Sequence, residues 1–310
     1  MTRLARAALA VVALASVFTA CGSGGWTRAA CAPARPHGSG FVNLRLTSKG
    51  APRAAILYVP KGYDGDRQYP LVLTWHGYGA GAEVQIHDAA MLRLADDKDF
   101  LLLAPQGTGN PARFNLERGI TSNVDDVGFA LDLLDTVQRE YCVDAARVYS
   151  MGASNGAGMS ALLACRAPDR IAAAGLVSLL LIDDGCETPG TPVLAIQGDA
   201  DLIVPIKGGQ VSCCGGWDIA PAAKTMADWA AHDGCRGAGD TKQISDHVKR
   251  TIWDACDNDL EVRYYVVHGG GHTWPGTESD GPLGHTTGEL DASKEMWRFF
   301  SRFSREPAGR

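Results

Sequence analysis

Apolar residues along the chain fall into short runs of two kinds. Strand-like runs of aliphatic and β-branched residues recur over 41–47, 54–59, 71–75, 100–104, 148–151, 173–177, 193–196 and 262–267. Segments with helical periodicity lie at 83–97, 125–141, 156–165, 221–232 and 292–303. From the third strand onward the two kinds alternate, which predicts an α/β protein with a mostly parallel sheet and helices on both faces. The first two strands have no helix between them, so the sheet is expected to begin with an antiparallel pair. The stretch from about 202 to 220 holds Gly208-Gly209 and Cys213-Cys214-Gly215-Gly216-Trp217 and reads as a long loop. It is expected either to wall a substrate cleft or to be a surface loop pinned by a disulfide.

The N-terminus has a different character. Arg3 and Arg6 precede an apolar stretch over 7–20, then Cys21 and Gly22-Ser23-Gly24-Gly25. That order is an export signal rather than a membrane span. Phe18-Thr19-Ala20-Cys21 resembles a bacterial lipobox, in which the cysteine is lipidated and becomes the mature N-terminus. The expected location is therefore the bacterial envelope, as a lipoprotein, or the extracellular space, with the membrane touched only through the lipid anchor. Residues 1–21 are assigned to the signal, 22–40 to a flexible Gly/Ser/Ala/Pro tether, 41–304 to a single catalytic domain and 305–310 to a C-terminal tail. Of nine cysteines, removing Cys21 leaves an even set, which suits disulfide bonding in an oxidising compartment. Cys235 with Cys256 is the pairing singled out among the 105 connectivities that eight cysteines allow. The net charge of -6 and the lack of a basic block argue against a nucleic-acid partner. No zinc-type spacing stands out, and neither a metal nor another cofactor is expected.

The chemistry concentrates after the strand at 148–151. There Gly152-Ala153-Ser154-Asn155-Gly156 places a serine between two glycines, with a helix-forming segment behind it. This is the sequence of a nucleophile elbow, where a tight turn exposes the hydroxyl above the sheet and a helix N-terminus faces developing negative charge. A serine hydroxyl needs an imidazole base, usually steadied by a carboxylate, in the chain order Ser, acid, His. His272 is the preferred base because it follows a strand and Gly269-Gly270-Gly271, whereas His232 lies in a helical segment and His285 in a polar loop. For the acid, Asp199 and Asp201 both follow the strand at 193–196; Asp201 is favoured, since Asp199 is close enough to the strand end to serve as a turn cap. Asp125 and Asp126 read as helix N-terminal charges. The strand at 71–75 runs into His76-Gly77-Tyr78-Gly79, so the backbone N–H groups of Tyr78 and Asn155 are the candidate oxyanion donors, with His76 structural.

Taken together, Gly-Ala-Ser154-Asn-Gly, Gly-Asp-Ala-Asp201, Gly-Gly-Gly-His272-Thr-Trp-Pro-Gly, His76-Gly-Tyr-Gly and Tyr141-Cys142-Val143-Asp144 resemble the secreted polyhydroxybutyrate depolymerase and feruloyl esterase family, over roughly residues 41–304. The resemblance implies an α/β-hydrolase fold and a serine carboxylic ester hydrolase acting through an acyl-enzyme. It places the acid at Asp201 and the base at His272, and Gln197 stands where a histidine is common in the family. Trp274 is expected either to line the acyl pocket with its ring or, standing beside Pro275, to be a packed turn residue. The expected substrate is an ester of the feruloyl or acetyl-xylan type, polysaccharide-linked, because no substrate-binding domain or threonine-rich linker is seen. The alternative is a hydroxyalkanoate polyester, as for a polyhydroxybutyrate depolymerase. A serine peptidase of the same fold and a non-catalytic binding lipoprotein are the remaining alternatives.

Overall fold

The computed structural model describes residues 29–305, apart from 89–90, 120–121, 189 and 278–279. The signal segment and Cys21 lie outside the described residues. The strands are β1 (Gly40–Ser48), β2 (Ala51–Val59), β3 (Tyr69–Trp75), β4 (Leu101–Pro105), β5 (Val143–Ala153), β6 (Ala173–Val177), β7 (Val193–Gly198), β8 (Gly209–Gln210), β9 (Asp218–Ile219), β10 (Asp240–Gln243), β11 (Val248–Trp253) and β12 (Val262–Val267). The helices are α1 (Ala82–Asp88), α2 (Met91–Lys98), α3 (Asp126–Glu140), α4 (Asn155–Arg166), α5 (Ala222–His232) and α6 (Ala292–Phe300). The helical segment expected over 83–97 is seen as α1 and α2, on either side of residues 89–90, which lie outside the described residues.

Ten strands form one sheet in the order β1-β2-β4-β3-β5-β6-β7-β12-β11-β10. β4, β3, β5, β6, β7 and β12 run parallel, while β1 and β2 at one margin and β11 and β10 at the other are antiparallel. The alternation of elements foretells the parallel centre and the antiparallel start. The β10–β11 hairpin is a finding of the structure, because all four residues of β10 are exposed and carry no hydrophobic signal.

Side chains of the central strands alternate between two apolar layers, as a period of two requires. Leu71, Leu73 and Trp75 of β3 join a core with α3, α4 and α5, whereas Val72 joins a second core with α2 and α6. In α6, Met296, Phe299 and Phe300 are fully buried, each stabilising the fold by about 2 to 3 kcal/mol. Gly175 of β6 permits that approach, since a Cβ there would lie 2.8 Å from the Met296 sulfur. Helix α3 starts at Asp125, whose carboxylate accepts from the Gly128 N–H as an N-cap. Its neighbour Asp126 is the expected acidic residue of the first turn and does more besides: it is buried, paired with Arg53, and accepts from the Asn115 N–H.

Residues 29–40, read above as part of a tether, are tied to the domain. Cys31 is disulfide-bonded to Cys142, Arg35 donates to the carbonyls of Gln138 and Tyr141, and His37 stacks on Tyr141. Disulfides also join Cys165 to Cys186, Cys213 to Cys214, and Cys235 to Cys256, the last being the expected pair. No helix among the described residues is long and apolar enough to cross a membrane.

Candidate active site

The strand order reverses between β3 and β5, and crevices at the carboxyl ends of such strands are where open α/β sheets bind ligands. Ser154 follows β5 directly with φ 53° and ψ -121°, a strained conformation for a side chain with a Cβ. Its N–H donates to Val177 O of β6 at 2.8 Å, so the sheet itself holds the turn. The two flanking glycines are sterically required. A Cβ on Gly156 would lie 2.0 Å from Trp75 O, and one on Gly152 would lie 2.4 Å from the Gly156 backbone. Below the elbow, the Trp75 indole N–H donates to Ser150 Oγ, which is bonded to Ser160 Oγ at 2.6 Å. This buried chain links β3, β5 and α4, the three elements that carry the candidate nucleophile and oxyanion donors.

The expected base and acid meet. His272 Nδ1 lies 2.8 Å from Asp201 Oδ2, with both side chains buried, at 8% and 0% exposure. The other Asp201 oxygen accepts from the N–H groups of Ile203 and Val204, each at 2.9 Å. Gln197 also donates to Asp201 Oδ2 at 3.3 Å and to Val204 O at 2.9 Å. The carboxylate is therefore held from four sides, which fixes the imidazole with its Nδ1–H toward Asp201 and Nε2 free for proton transfer. His272 and Ser154 line the same cleft, of about 440 Å³. Among the described residues no hydrogen bond joins Ser154 Oγ to the ring, and such contacts commonly tighten only when substrate binds.

Tyr78 also borders this cleft, and both Tyr78 and Asn155 border a second compartment, a slot that Ser154 lines as well. Among the described residues neither Tyr78 N–H nor Asn155 N–H donates to a backbone carbonyl, so both are available as donors. Asn155 is the first residue of α4, whose positive end supports an anion there. His76 accepts from Gly107 N–H through Nε2 at 2.9 Å and donates through Nδ1 to Gly77 O at 2.8 Å. Burial lowers its pKa, keeping the ring neutral in a structural role that stabilises the turn before Tyr78.

Trp274 borders the wide cleft and not the slot, and its ring is packed in the α6 core with Nε1 donating to Ser293 Oγ. Both expected roles are seen at once: it packs a turn and borders the cleft. Two contributions were not foreseen. The Asn155 side chain clamps the main chain of Phe114, accepting from its N–H at 2.8 Å and donating to its carbonyl at 3.0 Å, which fixes one wall of the slot. Gln197 positions Asp201; its departure from the common histidine is the signal that singles it out.

A family profile described as "Esterase PHB depolymerase" matches residues 53–204. The chain is 27% identical to feruloyl esterase B of Piromyces equi over 81% of this chain and 45% of that protein, so it spans less than half of that relative. It is 26% identical to feruloyl esterase D of Neurospora crassa over 96% of this chain and 94% of the other. Among solved structures, acetyl xylan esterase from Aspergillus awamori superposes with a TM-score of 0.61 over 84% of this chain and 99% of that one, at 14% identity, a likeness of fold. The elbow on a switch-point strand, the mixed sheet and these sequence matches agree: the chain has the α/β-hydrolase fold and is related in sequence to feruloyl esterases and polyhydroxybutyrate depolymerases.

Proposed function

We propose that the protein hydrolyses carboxylic esters through an acyl-enzyme on Ser154. The observation that carries this reading is a serine on a strained strand-to-helix turn, opening into the cleft that is also lined by a histidine bonded to a buried aspartate. In this reading Ser154 Oγ attacks the ester carbonyl while His272 Nε2 takes its proton and later gives it to the departing alcohol. Asp201 holds the tautomer and steadies the imidazolium, and water clears the acyl group by the same steps. The N–H groups of Tyr78 and Asn155 meet the oxyanion, each contributing about 3 kcal/mol of transition-state stabilisation.

For the acyl group, the matched family profile favours a hydroxyalkanoate polyester over a feruloyl or acetyl-xylan ester. The feruloyl reading is kept as the second, supported by the names of the two relatives described above. Hydrolysis of hydroxybutyrate oligomers, methyl ferulate and acetylated xylan, measured side by side, tests both. Faster turnover of methyl ferulate than of any oligomer reverses the order, and no turnover of any of them removes the esterase reading. Export, with Cys21 as the lipidated residue, is supported by the N-terminal sequence alone. Fatty-acid labelling that disappears in Cys21→Ser supports the anchor, whereas an unlabelled parent protein leaves plain secretion.

A further inference from the structure

Two compartments meet at Ser154, and they differ in shape and chemistry. The wide cleft, about 440 Å³, is bordered by His272; the slot, about 30 Å³, is bordered by Asn155 and is otherwise mostly apolar. His272 does not border the slot, and Asn155 does not border the cleft. In the serine-esterase reading, on which this inference rests, the imidazolium returns its proton to the departing alkoxide oxygen, so the leaving alcohol lies on the imidazole side. The acyl chain must then extend the other way, into the slot.

Beside the apolar side chains of the slot stands the disulfide between the adjacent residues Cys213 and Cys214. Cys213 borders both compartments, as Tyr78 and Ser154 do, while Cys214 borders the slot alone. Cys214 has φ 58°, in the left-handed region, and a ring closed across a single peptide bond holds it there. The loop is tied down on either side: Val211 N–H donates to Trp217 O, Gly216 N–H to Cys213 O, and Ser212 N–H to Ile203 O. Trp217, which also borders the slot, packs against Gly119, where a Cβ would lie 2.5 Å from the indole.

The space left is small. A cavity that accepts benzene measures roughly 150 Å³, whereas this slot offers about 30 Å³. An aromatic acyl group requires the wall to move; a short aliphatic chain of a few heavy atoms does not. We infer that the Cys213–Cys214 disulfide is the specificity-determining wall of the acyl compartment, restricting the enzyme to short aliphatic acyl groups. Arg113, also at the slot, offers guanidinium donors to a hydroxyl or carbonyl on such a chain.

The test holds the leaving group constant and varies the acyl group, comparing kcat/KM for 4-nitrophenyl butyrate and 4-nitrophenyl ferulate. The parent protein is expected to favour butyrate. The double variant Cys213→Ala/Cys214→Ala and, separately, Trp217→Ala are expected to raise the ferulate-to-butyrate ratio by about tenfold or more. The ratio between methyl and 4-nitrophenyl butyrate, which reports the leaving-group side, should stay fixed in both variants. Preference for ferulate in the parent protein overturns the inference, as does a ferulate-to-butyrate ratio unmoved in the folded variants or a shift confined to the leaving-group ratio. Should the double variant not fold, Trp217→Ala decides alone. If the parent cleaves neither ester and a fluorophosphonate fails to label Ser154, the esterase reading itself falls and the inference with it. Activity with an unmoved acyl ratio sinks only the wall.

Discussion

Two Asp–His pairs stand at the ends of the same two parallel strands, β7 and β12, and only one of them reaches the serine cleft. Asp199 bonds His268 at 2.8 Å and Asp201 bonds His272 at 2.8 Å, so pair geometry alone does not separate them. Burial does. The Asp199 and His268 side chains are 35% and 43% exposed, and beyond the imidazole the carboxylate accepts only from the Gly269 N–H. Asp201 is sealed from solvent and accepts from two backbone N–H groups and Gln197 as well as from His272. An exposed pair of this kind is worth at most about 1 kcal/mol, whereas a buried carboxylate with all its lone pairs engaged holds its imidazole in one orientation. A third pair, His232 with Asp233, marks the other extreme. Asp233 is buried with one carboxylate oxygen lacking a partner among the described residues, and burial pushes its pKa up to about 6. Burial with a single side-chain partner thus penalises the charged form of Asp233.

The sharpest way to break the comparison is to remove each imidazole. His272→Ala is expected to cost about 10⁶-fold in kcat for a short 4-nitrophenyl ester, and His268→Ala less than about threefold. Comparable losses in the two variants would mean that the exposed pair belongs to the machinery. Next in size, Asp201→Asn should lower kcat by about 10⁴-fold through the wrong tautomer of His272. Asp199→Asn, assayed alongside, should leave the rate nearly unchanged.

Smaller effects sharpen the role of the donors. Gln197→Leu removes one hydrogen bond from Asp201 and one from Val204 O, and a loss of about tenfold in kcat is expected with little change in KM. A change in KM alone would assign Gln197 to substrate binding instead. Finally, the Asp233 carboxyl, raised in the fold from 3.8 to about 6, binds its proton more tightly folded than unfolded. Stability should therefore fall as pH rises from about 4 to about 6 and level off above that. Asp233→Asn cannot ionise, so its melting temperature should exceed the parent's at pH 8, by the equivalent of about 3 kcal/mol, and match it at pH 4. An equal difference at both pH values would remove ionisation as the cause.

Legibility along the chain follows the range of the forces involved. The elbow is readable because the crowding that demands Gly152 and Gly156 acts between residues that are neighbours in sequence and on the adjoining β3 strand. The central strands are readable because burial on both faces turns them into unbroken apolar runs. The exposed hairpin of β10 and β11 left no such trace, being an edge whose stability comes from pairing with β12 rather than from its own composition. Residues 29–40 resemble a tether in composition, and it is the Cys31–Cys142 disulfide and the contacts to α3 and Tyr141 that order them.

The amino-acid sequence by itself determined the strand-turn-helix around Ser154, the candidate partners His272 and Asp201, and the glycine-rich turn at Tyr78, since each depends on local sterics and on residue chemistry. Only the tertiary structure decided which aspartate faces which histidine, since Asp201 and His272 are 71 residues apart and meet through the parallel register of β7 and β12. It also decided that the cysteine pair at 213 and 214, read as a loop feature, borders the slot at the serine, with Cys213 reaching the wide cleft too. Enclosure is a property of many segments packed together, and no single stretch of chain carries it.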